Sequence, residues 1–299
     1  MDIIELVYSK CYIIIIYRGV DQLDIEEAIS DKISMLQSNM ERISLSRTEK
    51  GVLAKWTFIL KENIYYVKTG RIEYGIFSNL EPISEVIAAR VGKIIGVNVL
   101  STYWDLFNMN KTDEYDEQAV IVSYTKNFLN DGEIYKPIAK YLSLSELNNN
   151  DLYNILTVRF EEYRNEIDNM IVFDFLINNT DRHLNNFGFI CDENENILRF
   201  SPLFDNGCSL FNDITIDERF INKFDIADRK SKSKPFRTNQ YKQIKLVGSA
   251  NLNIDAKINI KEICEDLLSK GYITLQRIDI IQKLIERRLE YVRSLLCEK

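Results

Sequence analysis

Two kinds of hydrophobic pattern divide the chain. Up to about residue 125 the apolar residues come in short runs rich in β-branched and aromatic side chains, the habit of buried or half-buried strands. The runs 11-CYIIIIY-17, 52-VLAKWTFIL-60, 63-NIYYVKTG-70, 97-VNVLSTYW-104 and 119-AVIVSY-124 predict strands, and Lys61-Glu62-Asn63 predicts the turn of a hairpin. Two segments change period. An acidic helix is expected over 24-DIEEAISDKISML-36, and a second over 81-EPISEVIAARVGKIIGV-97. In the latter, Val86, Val91, Ile94 and Ile95 make one face, Pro82 and Ser84 mark the start, and Gly96 can end it.

Beyond residue 125 the period is mostly helical. The segment 160-FEEYRNEIDNMIVFDFLI-177 predicts a single helix with Ile167, Met170, Ile171 and Leu176 among its apolar positions. Near the C-terminus Ile278, Ile281, Ile285, Leu289, Val292 and Leu296 recur every three or four residues, as on a core-facing amphipathic helix. The expectation is an α+β, bilobal protein: a strand-rich N-lobe over residues 1–125, a helical C-lobe over 126–299, and a ligand cleft between them.

Composition narrows the classes. A net charge of −7 disfavours a nucleic-acid binder, which needs clustered Lys and Arg against phosphates. The one basic run, 229-RKSKSKPFR-237, reads as a solvated loop. Five scattered cysteines with no CxxC suit a reducing cytosol and offer no zinc spacing. The longest apolar run near the N-terminus is far too short to span a bilayer, and no signal-peptide pattern is present, so a soluble cytoplasmic protein is expected.

The chemistry concentrates in 178-NNTDRHLNNFGF-189, directly behind the apolar 170-MIVFDFLI-177. A second polar stretch, Asp205-Asn206-Gly207, follows a short hairpin running out over Phe187–Ile190 and back over Ile197–Phe200. That hairpin would set Asp181, Asn186 and Asp205 side by side. Mg²⁺ takes oxygen ligands, usually one or two carboxylates plus phosphates and water. Asn186 and Asp205 can supply them, leaving Asp181 to accept a proton. The spacing agrees with kinases, where a metal-binding Asn stands five residues after the base Asp and a second loop brings the Asp of DFG.

Such a site also needs a cation for the phosphates. Lys68, central in the strand 65-YYVKTG-70, is the candidate, with Glu85 of the following helix as its partner. The stretch 43-ISLSRTEKG-51 stands where a phosphate-covering loop belongs, with Ser44, Ser46 and Thr48 as donors, although it is neither GxGxxG nor Walker A.

Together NTDRHxxN, a downstream FDxG, and YYVKTGR followed by EPISEVIAARVGKIIGV resemble the HipA-like serine/threonine kinases of bacterial toxin–antitoxin systems, over roughly residues 40–240. The resemblance implies a protein-kinase-like or phosphoinositide-kinase-like fold that uses ATP and Mg²⁺. It makes Asp181 the catalytic base, with His183 beside it, and Asn186 and Asp205 the metal ligands. It gives Lys68 to the ATP phosphates and Ser123 and Tyr124 to the hinge near adenine. It further implies autophosphorylation at Ser44 or Ser46, a protein substrate such as a translation component, and an antitoxin partner. One departure is plain: Asn206 stands where DFG has Phe, so no Phe-driven switch is expected.

Each residue has a structural alternative. Asn178 and Asp181 could cap a helix end and build an Asx-turn, and the serines of 44–48 could cap a turn. Lys68–Glu85 could be an ordinary surface pair. His183 reads as an architectural member of its loop. As the only histidine it makes no His-based zinc site, and without a GxSxG elbow no Ser-His-Asp hydrolase. Asp174, inside the apolar helix, is expected to bond the catalytic-loop backbone. At the level of function, a lipid or small-alcohol kinase and a nucleotide-binding regulator without transfer activity stay open.

Overall fold

The computed structural model describes residues 6–9, 12–15, 53–60, 63–113, 115–147 and 151–297. The helix expected at 24–36 and the loop carrying Ser44, Ser46 and Thr48 lie outside the described residues. The chain forms two compact units, Met1–Val86 with Ser101–Phe128, and Ile87–Leu100 with Leu129–Lys299.

The first unit is built on a seven-stranded sheet. Its strands are β1 (Leu6–Ser9), β2 (Tyr12–Ile15), β3 (Leu53–Leu60), β4 (Asn63–Glu73), β5 (Ile76–Phe77), β6 (Thr102–Met109) and β7 (Gln118–Lys126). They lie in the order β1-β2-β3-β4-β7-β6, with β5 beside β4. Among the described strand pairs of this sheet, β2–β3 is parallel and the others are antiparallel. The expected β3–β4 hairpin closes with Leu60 opposite Asn63. Along β4, Tyr65, Val67 and Thr69 are buried while Tyr66 is exposed and Lys68 half-buried, the two-residue alternation of a sheet with one covered face. Gly70 is a close-approach position: an added Cβ would lie 1.8 Å from the carbonyl oxygen of Ser78.

Helix α1 (Leu80–Ile95) forms where expected, but every residue from Glu81 to Ala89 is buried, and Ile94, expected on the apolar face, is exposed while Val86, Val91 and Ile95 are buried. Glu81 in its first turn pairs with Arg71 of β4 at 2.5 Å, and Gly96, at φ +83°, ends it. The strand expected from Val97 starts only at Thr102. Val99 instead bridges to Leu203 in parallel, and Leu100 N–H donates to the Leu203 carbonyl at 2.9 Å. The apolar 97–100 stretch belongs to the second unit, where Val97 and Val99 are buried.

The second unit contains, after α1, the helices α2 (Leu152–Arg159), α3 (Arg164–Leu176), α4 (Glu218–Arg229) and α5 (Leu275–Cys297). The helix expected over 160–177 is split: Glu161–Tyr163 form a 3₁₀ turn before α3 begins. From Met170 to Leu176 every residue of α3 is buried, so it is the unit's central helix and carries no amphipathic stripe. On α5, Ile278, Ile281, Ile285, Leu289 and Val292 are buried as the periodicity predicts.

A second, three-stranded sheet joins β8 (Ile134–Pro137), β9 (Gly188–Cys191) and β10 (Ile197–Phe200) in the order β10-β9-β8. The β9–β10 hairpin was expected; β8 was not. Phe189 of β9 anchors an aromatic cluster with Tyr141, Phe160, Tyr163 and Phe200, with ring centroids 4.8–5.8 Å from its own. Among the described residues no helix is long and apolar enough to cross a membrane.

Candidate active site

Helix α3 ends in a double turn that aims the following residues. Asn178 takes the left-handed conformation at φ 55°, and the N–H groups of Asn178 and Asn179 donate back to Phe175 O at 3.2 Å and Asp174 O at 2.8 Å. This is a Schellman-type stop, at which asparagine is a known substitute for glycine. The Asn178 side chain accepts from the buried Arg288 at 3.0 Å. Asn179 makes the Asx-turn, its Oδ1 taking the Asp181 N–H at 3.0 Å. Asp181 itself caps nothing and stands half-exposed.

The next residue fixes the site's frame. Arg182 is wholly buried and forks onto Asp174, with Nε to Oδ2 at 2.9 Å and Nη2 to Oδ1 at 2.9 Å. Its Nη1 donates both to Asn186 O at 3.3 Å and to Phe204 O at 2.6 Å, and Nη2 also reaches Asn206 Oδ1. One guanidinium therefore fastens the 181–186 loop to the 204–206 segment. The Asp174 carboxylate serves side chains, those of Arg182 and Asn179, rather than the loop backbone as the sequence suggested. An unpaired charge at that depth would be costly, and this cation meets it.

Asn186, 4% exposed, turns its amide nitrogen back onto Asp181 O at 3.4 Å. Its Oδ1 enters no hydrogen bond among the described residues. Asp205 is half-buried and left-handed at φ 59°, a conformation that costs most residues energy and that aspartate tolerates better than most. A carboxylate and an amide oxygen on two adjoining loops fit the oxygen preference of Mg²⁺, with phosphate and water completing its shell. Among the described residues no group of three or more His, Cys, Asp or Glu gathers as a cage for a metal.

His183 is occupied locally: its Nδ1 accepts the Asn185 N–H at 3.3 Å, which leaves the ring proton on Nε2. The Tyr135 hydroxyl of β8 donates to Asn185 O at 3.0 Å, and burial pushes that phenol's pKa well above the usual range. Lys234 was not anticipated at all. Its ammonium donates to Asp181 Oδ1 at 2.6 Å across 53 residues of sequence.

In the first unit, Lys68 lies on β4 directly opposite Ser123 on β7, with Val67 opposite Tyr124. Ser123 and Tyr124 are buried, and Tyr103 stacks on Tyr124 at 5.5 Å. Glu85 is buried on α1 of the same unit. The sequence-derived residues thus fall into two groups: Lys68, Ser123 and Tyr124 on adjacent strands, and Asp181, Asn186 and Asp205 on loops tied by Arg182. Arg182 could have been found from sequence, since Asp174 eight residues earlier demands a cation.

Residues 59–270, well over half the chain, match the family described as HipA-like C-terminal domain. No curated protein sequence matches. Among solved structures, the Helicobacter pylori proinflammatory kinase CtkA is similar at a TM-score of 0.61 and 15% identity, covering 86% of this chain and 95% of its own. The golgi casein kinase gives 0.44 at 15% identity, covering 90% and 76%. HipA of Shewanella oneidensis MR-1, solved with HipB and operator DNA, gives 0.39 at 12%, covering 94% of this chain and 64% of its own. The likeness to CtkA shows a kinase-like α+β fold.

Proposed function

The chain belongs to the HipA-like C-terminal domain family, and from that premise we propose that it is an ATP- and Mg²⁺-dependent serine/threonine protein kinase. The observation that carries this reading is the Arg182 tie, which holds the Asp181–Asn186 loop against the segment containing Asp205. Phosphoryl transfer asks a protein mainly for positioning and charge neutralisation, and that tie supplies the positioning.

Asp181 orients the acceptor hydroxyl and takes its proton. Asn186 Oδ1 and the Asp205 carboxylate would hold the metal, which would offset the charge of the phosphates. Lys68 steadies the phosphates with Glu85 as its partner, and Ser123 and Tyr124 lie at the hinge near adenine. His183 shapes the loop through Asn185. Ser44 or Ser46 receives phosphate in an autophosphorylation step. The acceptor in trans is a protein, a translation component being the class the family suggests, and an antitoxin is the proposed partner. Scattered cysteines without paired spacing support a cytoplasmic setting.

Incubation with Mg-ATP followed by intact-mass measurement tests the reading, with Asp181→Asn alongside and with protein and lipid acceptors offered in parallel. The wild type is expected to gain phosphate, and the variant to gain none while still binding nucleotide. A wild type that transfers phosphate to nothing, or a variant that transfers normally, would overturn it.

A further inference from the structure

The basic run 229-RKSKSKPFR-237 is not a free loop. Ser231 and Ser233 are buried, and Ser233 Oγ donates to Arg237 O at 2.8 Å. Gln243, 1% exposed, accepts the Phe236 and Arg237 N–H groups on Oε1 at 3.0 and 3.1 Å and donates Nε2 to Lys234 O at 2.9 Å. The Phe236 ring packs edge-on against Tyr153 and Phe187. Gln240, equally buried, donates to the carbonyl of Asn179, two residues before Asp181. Buried groups therefore set the backbone of Lys234 against the catalytic loop, and its ammonium meets Asp181 Oδ1.

Stability does not explain the pair. The side chains are 56% and 42% exposed, and ion pairs so open to solvent contribute little to folding. The buried glutamines hold the loop, and the lysine rides on it. The loop's own cation, Arg182, is committed to Asp174 in the interior, and His183 turns its Nδ1 to its neighbour's N–H. Asp181 Oδ2 engages nothing among the described residues.

We propose that Lys234 is a catalytic residue of the transfer, its ammonium sharing Asp181 with the acceptor hydroxyl and meeting the γ-phosphoryl oxygens as the group passes. The proposal rests on the kinase reading above. The acceptor oxygen bonds to the γ-phosphorus, and the bond from that phosphorus to the β–γ bridging oxygen breaks. The electron pair of that bond leaves on ADP, and the hydroxyl proton goes to Asp181 Oδ2. Lys234 occupies Oδ1 throughout, fixing the carboxylate's orientation and placing a positive charge beside the equatorial oxygens.

The full chain is assayed as wild type, Lys234→Met, Lys234→Arg and Asp181→Asn. Loss of a preorganised donor to a transition state costs about 10²–10³-fold in kcat. Lys234→Met is expected to lose that much, with melting temperature unchanged and ATP affinity and KM for ATP changed far less than kcat, and Lys234→Arg to recover most of it. A γ-phosphate-bearing, non-hydrolysable ATP analogue should slow acetylation of Lys234 more than ADP does, read by peptide mass spectrometry. An active wild type with a silent Asp181→Asn and an unimpaired Lys234→Met overturns the proposal alone. So does equal protection by the two nucleotides, or a Lys234→Met loss matched by a lowered melting temperature. A wild type inactive on every acceptor overturns the kinase reading and the proposal together.

Discussion

Arg182 and Asp174 form a buried, multiply hydrogen-bonded ion pair, 0% and 1% exposed, at the junction between the central helix and the loop that follows it. The same guanidinium holds carbonyls of both loops, so the pair's value lies in what it positions. Removing one partner from such a pair leaves an uncompensated interior charge, at a cost of about 3–5 kcal/mol. Asp174→Ala should lower the unfolding free energy measured by urea titration by that amount and abolish transfer. Arg182→Lys should abolish transfer as well, because an ammonium cannot span the planar fork. An Asp174→Ala protein of wild-type stability would contradict the geometry.

Gly188 marks where β8 and β9 touch. An added Cβ would sit 2.2 Å from Lys136 O and 2.7 Å from Pro137 Cα, both backbone atoms that cannot swing aside. Gly188→Ala is expected to destabilise by about 1–3 kcal/mol through overpacking. It should also displace the loop directly ahead of β9. Thermal melting together with kcat checks both, and a neutral result would mean that the strands can separate freely.

The buried Tyr153 and the half-buried Tyr241 predict an alkaline transition. Burial, and then the neighbouring carboxylate, raises the pKa of Tyr153 and of Tyr241 from 10.0 to about 12. Their hydroxyls donate to Asp168 at 2.6 Å and Asp228 at 2.7 Å. The unfolded phenols ionise first, so this stability is fully present below pH 10.0 and is lost as pH rises through about 12. Urea midpoints measured between those limits should fall steadily. In Tyr153→Phe they start lower and fall less.

Asn186 offers a metal-specific readout. Losing even an outer partner of a metal ligand costs about 10–100-fold in affinity. Asn186→Ala should therefore raise the magnesium needed for half-maximal transfer at least tenfold, with nucleotide affinity in metal-free buffer unchanged. An unchanged magnesium requirement would remove Asn186 from the ligand set.

The parts of the fold legible in the sequence are those with strong local period. The β3–β4 hairpin, α1 with its Gly96 stop and the core face of α5 all follow from spacing alone. The strand expected over 97–104 starts late, at Thr102, because Val97 and Val99 look strand-like but are buried in the second unit, where Val99 bridges to Leu203, about a hundred residues away. In the site, the five-residue interval from Asp181 to Asn186 was readable because both lie on one loop. Lys234 was not, since its approach to Asp181 depends on Gln240 and Gln243, whose amides have no sequence periodicity to announce them.

The clamped loop also bears on how the native protein meets a protease. Residues 229–237 hold five Lys or Arg, so on composition alone they invite tryptic cleavage. Cutting needs a stretch of chain drawn out into an enzyme's groove, whereas here the backbone is pinned by amides that would first have to be pulled from the interior. The region should survive brief digestion of the native chain and become a preferred scission point once the helical unit opens.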